Sequence, residues 1–247
     1  MSRLFALMAE EVVDVSFVVL HPGATDKVVS QLREGVGLGW YEKEGIHSVR
    51  LVGIQPAELW RLAETIHSRI VLFHARRRTV GDAEVINTHP FTYGKFMFIH
   101  GGTLRNWKAL EEALLPEWRE KLQGDTDSER LFFFLLQNIE GDILPGLKQA
   151  VEKVREITDY DYMNFILSDG ESLYAYSSGE RPLYFWKGKV EEELCCSSLV
   201  ENIAVRSRGL VGKRAVVVSG QKFQMEGWQT LSGSFLRVRP TLDVEIL

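Results

Sequence analysis

Arg76 and Asp127 are two charged residues whose places in the sequence could matter for chemistry. Arg76 comes two residues after the predicted strand at residues 70–74, in the sequence His-Ala-Arg-Arg-Arg-Thr. An arginine at the end of a strand can clamp a carboxylate through two parallel hydrogen bonds, although a solvated basic loop has the same composition. Asp127 stands at the start of a pattern typical of a helix, where a carboxylate also stabilises the helix dipole without any ligand. Composition leaves both interpretations open at each position.

Three histidines, His74, His89 and His100, raise the question of a metal centre. They occur in different sequence contexts and show no His-x-x-x-His spacing, which would place two imidazoles on one face of a helix. The alternative is that each is a core histidine whose ring nitrogens are hydrogen-bonded, and this is the interpretation that we favour. We expect neither a metal nor a cofactor.

Three glycines and a serine are the remaining residues that we consider for a functional role. Gly35, Gly37 and Gly39 form the sequence Gly-Val-Gly-Leu-Gly before Trp40. The spacing differs from the Gly-x-Gly-x-x-Gly of nucleotide-binding loops, and no clear helix follows. We therefore expect a turn that lies close to another backbone, because glycine has no side chain to obstruct the approach. Ser2 follows the initiator methionine, and composition alone gives a serine there no particular role.

Composition and charge exclude several classes of protein. Of the 247 residues, 45% are hydrophobic and 26% are charged, which is typical of a globular protein and not of a disordered or collagen-like one. With 29 Lys+Arg and 34 Asp+Glu the net charge is −5, which gives no electrostatic reason to expect nucleic acid or an anionic membrane as a partner. The longest purely apolar run, residues 131–136, is far too short to span a bilayer.

The two cysteines, Cys195 and Cys196, are neighbours in the chain. A bond between adjacent cysteines would close a strained ring, and no Cys-x-x-Cys pair is present. Because the sequence contains no disulfide framework, we expect the protein to be cytoplasmic.

The elements that must position these residues can be predicted from periodicity. Apolar residues recur with helical spacing at 59–66 and 143–157, and Thr126-Asp127-Ser128-Glu129 matches a capping box at which a helix should begin. Asp169-Gly170 predicts a hairpin turn. Short apolar segments predict strands at 70–74, 96–100, 162–168, 172–177, 184–186, 194–197, 214–219, 235–239 and 242–246. The order of these elements favours an α+β fold with antiparallel sheets, and we expect one domain over residues 1–247.

Taken in order, the segments resemble the class II glutamine amidotransferases, a branch of the N-terminal-nucleophile hydrolases. The resemblance runs from Met1 to about Asn138 and more loosely to the end of the chain. It is strongest to small stand-alone members, which include the γ-glutamyl amide hydrolase of ergothioneine synthesis. The matching segments are residues 1–4, 34–41, 74–76 with Thr79 and Gly81, 87–91, 100–102, 126–129 and 164–170.

The resemblance implies a four-layer αββα sandwich with the active site at the open edge of two antiparallel sheets. In the family, the residue after the initiator methionine is a cysteine whose own α-amine acts as general base when its thiol attacks the glutamine side-chain amide. By matched position, Arg76 should bind the substrate α-carboxylate and Asp127 its α-ammonium, with Thr79, Thr88 and His89 lining or supporting the pocket. A small-molecule substrate, glutamine or a γ-glutamyl amide, is thus implied.

Two positions depart from the family pattern. Ser2 replaces the cysteine, and a serine hydroxyl is a much weaker nucleophile than a partly ionised thiol. Gly101 replaces an asparagine that supplies a side chain to the oxyanion hole, so that from this motif only the backbone N–H of Gly102 remains. The loss of one such donor costs on the order of 10²–10³ in rate. Two hypotheses follow: an amidohydrolase that uses Ser2, or a weakened member that binds a ligand or regulates a partner. A synthase that accepts ammonia would have to be a separate chain.

Overall fold

A computed structural model describes residues 2–19, 33–54, 58, 65–192, 194–198, 203–223 and 226–247. Its main feature is a pair of antiparallel sheets, one with seven strands and one with six, and a smaller three-stranded sheet accompanies them. The four α-helices whose bounds the structure describes follow one another between β7 and β8. The predicted α+β fold built on a two-sheet sandwich is thereby confirmed.

The described strands fall into these three sheets. In chain order they are β1 (Arg3–Asp14), β2 (Ser16–Val19), β3 (Val36–Glu42), β4 (Gly45–Leu51), β5 (His67–Ala75), β6 (Phe91–Tyr93), β7 (Phe96–Leu104), β8 (Tyr160–Ser168), β9 (Leu173–Ser177), β10 (Leu183–Lys189), β11 (Leu194–Ser198), β12 (Ile203–Arg206), β13 (Arg214–Ser219), β14 (Gln229–Leu231), β15 (Ser234–Val238) and β16 (Val244–Ile246). The strand orders are β14-β10-β13-β1-β5-β3-β4, β16-β15-β9-β8-β7-β6 and β11-β12-β2. Each strand predicted from an apolar segment is found, often a few residues longer.

The described helices are α1 (Trp107–Glu112), α2 (Pro116–Arg119), α3 (Asp127–Gln137) and α4 (Ile143–Ile157), and residues 85–87 form a 3₁₀ turn. The capping-box prediction is correct for the start of α3, because Thr126 Oγ1 accepts the backbone N–H of Glu129 at 3.2 Å. The stripe at 143–157 is α4. The helix predicted at 59–66 falls mostly on residues outside those that the structure describes. No helix among the described segments is both long and apolar enough to cross a bilayer.

Alternation along the strands sorts the apolar side chains into separate layers. Leu4, Ala6 and Met8 of β1 pack between the two large sheets with Met97 and Ile99 of β7. Phe5 and Leu7 of β1, which alternate with these residues, face the outer side of the seven-stranded sheet. Phe98 of β7 faces α3 and α4. Because successive side chains of a strand point to opposite faces of its sheet, every second residue near the ends of these strands lies between the sheets.

The glycine-rich segment belongs to β3 and is not the turn that we expected. Gly37 pairs with His74 of β5, and Val36 pairs with Ala75. A Cβ atom built on Gly37 would overlap the carbonyl oxygen of His89, and one on Gly39 would crowd Pro90. The expected close approach of backbones is present, but it occurs across the face of a strand.

Candidate active site

Ser2 lies at the end of β1, beside the segment that follows β5. The pairing of Arg3 with Ala75 places the first residue of β1 beside the last residue of β5. The Ser2 hydroxyl oxygen accepts the backbone N–H of Arg77 at 3.0 Å and is 3.5 Å from the Arg77 carbonyl oxygen. The sheet register thus holds the hydroxyl next to the arginine-rich segment, 75 residues further along the chain.

Arg76 is almost fully buried, with 4% of its surface exposed, and it is not part of a solvated loop. Its Nη1 donates to the carbonyl of Asp82 at 2.6 Å, and its Nη2 donates to the carbonyls of Val80 and Gly81 at 2.7 and 3.1 Å. A guanidinium has five N–H donors, so Nε and one N–H of Nη1 remain. Burial lowers the pKa of Arg76, an effect that the carboxylates of Asp125 and Asp127 oppose.

Asp127 is also buried, and its carboxylate already accepts hydrogen bonds from the chain. Its Oδ2 accepts the backbone N–H of Leu104 at 2.8 Å, and its Oδ1 accepts that of Ser128 at 2.9 Å. Burial raises the pKa of Asp127 against the opposing effect of these bonds. The side chain therefore joins the first turn of α3 to the end of β7, and its charge lies within electrostatic reach of Arg76.

Gly101 and Gly102 lie near the end of β7, on opposite faces of the strand. The missing side chain of Gly101 points between the sheets, where a Cβ atom would overlap Cδ1 of Leu4. Gly102 has a φ of +153°, and a Cβ atom there would overlap the carbonyl oxygen of Tyr162. Gly102 is therefore required by the backbone, whereas the space beside Gly101 is occupied by Leu4.

The two threonines predicted at the pocket have different surroundings. Thr79 is exposed, and its Oγ1 accepts a hydrogen bond from Thr103 Oγ1 at 3.0 Å, which ties the arginine-rich segment to β7. Thr88 is buried, donates to the carbonyl of Glu84 at 2.8 Å and lies against Gly35. Thr88 therefore supports the segment around it.

The three histidines form a buried cluster between the strands. The ring centroids of His74 and His89 are 4.2 Å apart. His100 lies on the helix side of β7, where its Nδ1 is 2.8 Å from Ser128 Oγ. Among the residues that the structure describes, the other five ring nitrogens of the cluster have no hydrogen-bond partner. These are core histidines, as we favoured, but they are not the hydrogen-bonded ones that we expected.

Burial suppresses protonation throughout this histidine cluster. It lowers the pKa of His74 to about 3, with a smaller contribution from His100. It lowers the pKa of His100 to about 3 as well, and that of His89 well below its ordinary value. Within the described residues, ligand atoms for a metal converge as a trio only at the surface, at Glu42, Glu44 and His47. The histidine cluster does not have that geometry.

Sequence reasoning missed several residues that shape the site. Leu4, Thr103 and Ser128 contact Gly101, Thr79 and His100 respectively. For Ser128 there was a signal, since it lies in the capping box. The other two contacts join residues that are distant along the chain, and no local pattern marks them.

Comparisons with known proteins show the family to which this chain belongs. The family model for class II glutamine amidotransferases matches residues 1–239. A protein of Methanocaldococcus jannaschii is 29% identical over 191 residues, which are 70% of this chain and 50% of that protein. The glutamine–fructose-6-phosphate aminotransferase of Thermus thermophilus is 29% identical over 142 residues, which are 53% of this chain and 23% of that enzyme. The chain thus spans about half or less of the length of these relatives.

A solved structure gives the same result for the fold. The crystal structure of a predicted glutamine amidotransferase from Pseudomonas aeruginosa superposes with a TM-score of 0.68 at 20% identity, over 99% of this chain and 98% of that one. The likeness at this identity concerns the fold, while the family model covers nearly the whole sequence. This chain belongs to the class II glutamine amidotransferase family.

Proposed function

We propose that the protein hydrolyses the side-chain amide of glutamine or of a γ-glutamyl compound, with Ser2 as the nucleophile once Met1 has been removed. The observation that carries the proposal is the position of the Ser2 hydroxyl, hydrogen-bonded to Arg77 beside the buried Arg76. Family membership supports the class of reaction. A γ-glutamyl amide of the ergothioneine-pathway type is one substrate within this class.

The proposed reaction has two steps. The free α-amine of Ser2 takes the hydroxyl proton while Oγ attacks the amide carbon, because a serine needs an adjacent base to become nucleophilic. The C–N bond breaks, ammonia or an amine leaves with the proton, and a glutamyl ester on Ser2 remains. Water activated by the same amine then attacks the ester, which releases glutamate and restores Ser2. The reaction needs no cofactor.

Substrate recognition would use the two buried charges. The free donors of Arg76 suit an α-carboxylate, and the carboxylate of Asp127 suits an α-ammonium group. The bonds from Arg76 to the carbonyls at 80–82 would fix the guanidinium before the substrate arrives. The Thr79–Thr103 bond and the packed Thr88 and His89 would support this pocket.

The experiment measures turnover by correctly processed protein. Intact mass should first show that Met1 is absent, and glutamine and a panel of γ-glutamyl amides are then assayed for glutamate formation. We expect glutamate from at least one of these compounds. If processed protein forms none, while the compounds still bind, the hydrolase proposal is rejected in favour of the second candidate.

A second candidate function is a weakened member that binds an amino-acid-like ligand and regulates a separate partner such as a synthase. The observation that favours it is Leu4, which fills the space where a side chain at position 101 would lie and leaves that space apolar. Such a protein would keep affinity through Arg76 and Asp127 without turnover. Turnover that depends on Ser2 would reject this candidate.

We expect that restoring an oxyanion donor requires substitutions at both Leu4 and Gly101. We expect Leu4→Ala with Gly101→Asn to raise kcat by about 10²–10³, the usual effect of one such donor. Gly101→Asn alone should lower the free energy of unfolding by about 1–3 kcal/mol, because the new side chain overlaps Leu4. Steady-state kinetics and urea unfolding of both variants, with Leu4→Ala alone as the control, check this. An equal gain from Gly101→Asn alone would show that Leu4 is no obstacle.

A further inference from the structure

A cavity of about 350 Å³ lies at one edge of the sandwich, apart from the candidate active site. It lies where β4 and β6 are the edge strands of the two large sheets, and α3 and residues 120–123 complete its wall. None of Ser2, Arg76 and Asp127 lines it. Its volume is at the lower end of the range of small-molecule sites.

Arg50 of β4 is a partly buried cation that lines this cavity. The side chain is half-buried, and burial lowers its pKa while the carboxylate of Glu129 opposes that effect. Within the described part of the chain, its guanidinium makes no hydrogen bond and has no carboxylate oxygen within 4 Å. A half-buried guanidinium keeps N–H donors that a ligand can bind, and a planar carboxylate is the group that matches these paired donors.

Glu129 does not supply this carboxylate, although it lines the same cavity. Its Oε1 accepts the backbone N–H of Gln123 at 3.0 Å, and its Oε2 accepts that of Gly124 at 2.9 Å. Arg130 Nη1 lies 3.3 Å from Oε2. Backbone N–H donors and Arg130, which also pairs with Glu111 at 2.8 Å, offset part of the charge of Glu129. Lys121 adds a second cation at the exposed rim, beside the exposed Glu120.

Aromatic side chains form the remaining wall. Phe91, Phe132 and Phe133 are buried, whereas Tyr93 is 39% exposed. Tyr93 also contacts Trp118, with ring centroids 5.4 Å apart. Flat apolar groups pack well against such rings, and the indole of Trp118 provides an optical signal next to the cavity.

We propose that this cavity binds a small organic anion whose carboxylate pairs with Arg50 and whose flat apolar part packs against the phenylalanines. The site is independent of the proposed hydrolase function, because the two share no residue. A ligand with one carboxylate and one planar group satisfies both the unused donors and the aromatic wall.

The test compares three probes of similar size: phenylacetate, its neutral amide phenylacetamide, and the cation 2-phenylethylamine. Calorimetry and Trp118 fluorescence measure their binding to the full chain, with Trp118→Phe identifying the signal. We expect phenylacetate to bind at least about tenfold more tightly than the other two probes, since hydrogen bonds to charged groups have this effect.

Arg50→Gln should weaken phenylacetate binding at least about tenfold, because it removes the charge and the paired donors. The matched control is Lys43→Gln, which makes the same charge change at the exposed turn of the same hairpin. Circular dichroism verifies that both variants are folded. Equal binding of phenylacetate and phenylacetamide, unchanged binding by Arg50→Gln, or no binding of phenylacetate would each overturn the proposal.

Discussion

Ser2→Ala is expected to lower kcat for the best glutamine-type substrate by about 10³–10⁶-fold, the range of effects seen when a catalytic serine or its partners are removed. Alanine cannot form the glutamyl ester, so only pocket binding and the backbone N–H of Gly102 would still favour the reaction. The measurement is steady-state glutamate formation by proteins whose mass shows that Met1 is absent. A folded Ser2→Ala protein with turnover close to that of the parent would reject Ser2 as nucleophile.

Ser2→Cys is the matched variant for this experiment. A thiol is partly ionised at neutral pH and is intrinsically more nucleophilic than a hydroxyl. It should therefore retain or raise turnover in the same position next to Arg77. Both substitutions remove the hydroxyl that is hydrogen-bonded to Arg77. If turnover is lost in Ser2→Ala but not in Ser2→Cys, the loss reflects the missing nucleophile and not the missing hydroxyl hydrogen bonds.

Acidification should destabilise the fold through the buried histidine cluster. The pKa values of His74 and His100 are lowered to about 3 in the folded protein, whereas an unfolded histidine titrates near 6.5. Below about pH 6.5 the unfolded state therefore binds more protons than the native state, and stability falls as the pH falls towards 3. At pH 4 each of these two histidines should account for about 3 kcal/mol of lost stability. His89 acts in the same direction.

Urea unfolding between pH 7.5 and pH 4 measures this loss. Burial raises the pKa of Asp127 and Glu129, so these carboxyls favour the native state at low pH and partly oppose the histidines. A variant separates the two effects: His74→Gln should flatten the dependence of the unfolding free energy on pH. Equal pH dependence in the parent and in His74→Gln would show that His74 is not held neutral in the fold.

Local sequence predicted many of the elements, although not β3 or β4, and only some of their contacts. The capping box predicted where α3 begins, because Thr126 and Glu129 are three residues apart and their bond is local. Even there, the Glu129 carboxylate bonds to the N–H groups of Gln123 and Gly124 and not to that of Thr126, the partner in a reciprocal capping box. A capping pattern therefore predicts where a helix begins. The path of the preceding residues determines which backbone N–H groups reach the carboxylate of Glu129.

The candidate site depended on register, which a single sequence does not reveal. Leu4 and Gly101 meet between the two sheets although 96 residues separate them. The family resemblance pointed to Gly101, but only the packed structure shows what occupies the adjoining space. In the same way, composition could not show that Arg76 is buried and bonded to the carbonyls of its own loop.

The position of β1 has a consequence for the freedom of motion of the chain's first residues. Terminal segments usually fray, and a reactive group on one must be immobilised each time it reacts. Here Ser2 precedes the fourth of seven strands, which is paired on both sides with β13 and β5. Fraying would break two ladders at once, so the conformational entropy of this segment is lost on folding and not during each encounter with substrate. The seven-stranded sheet thereby restrains the segment next to Ser2 before a substrate arrives.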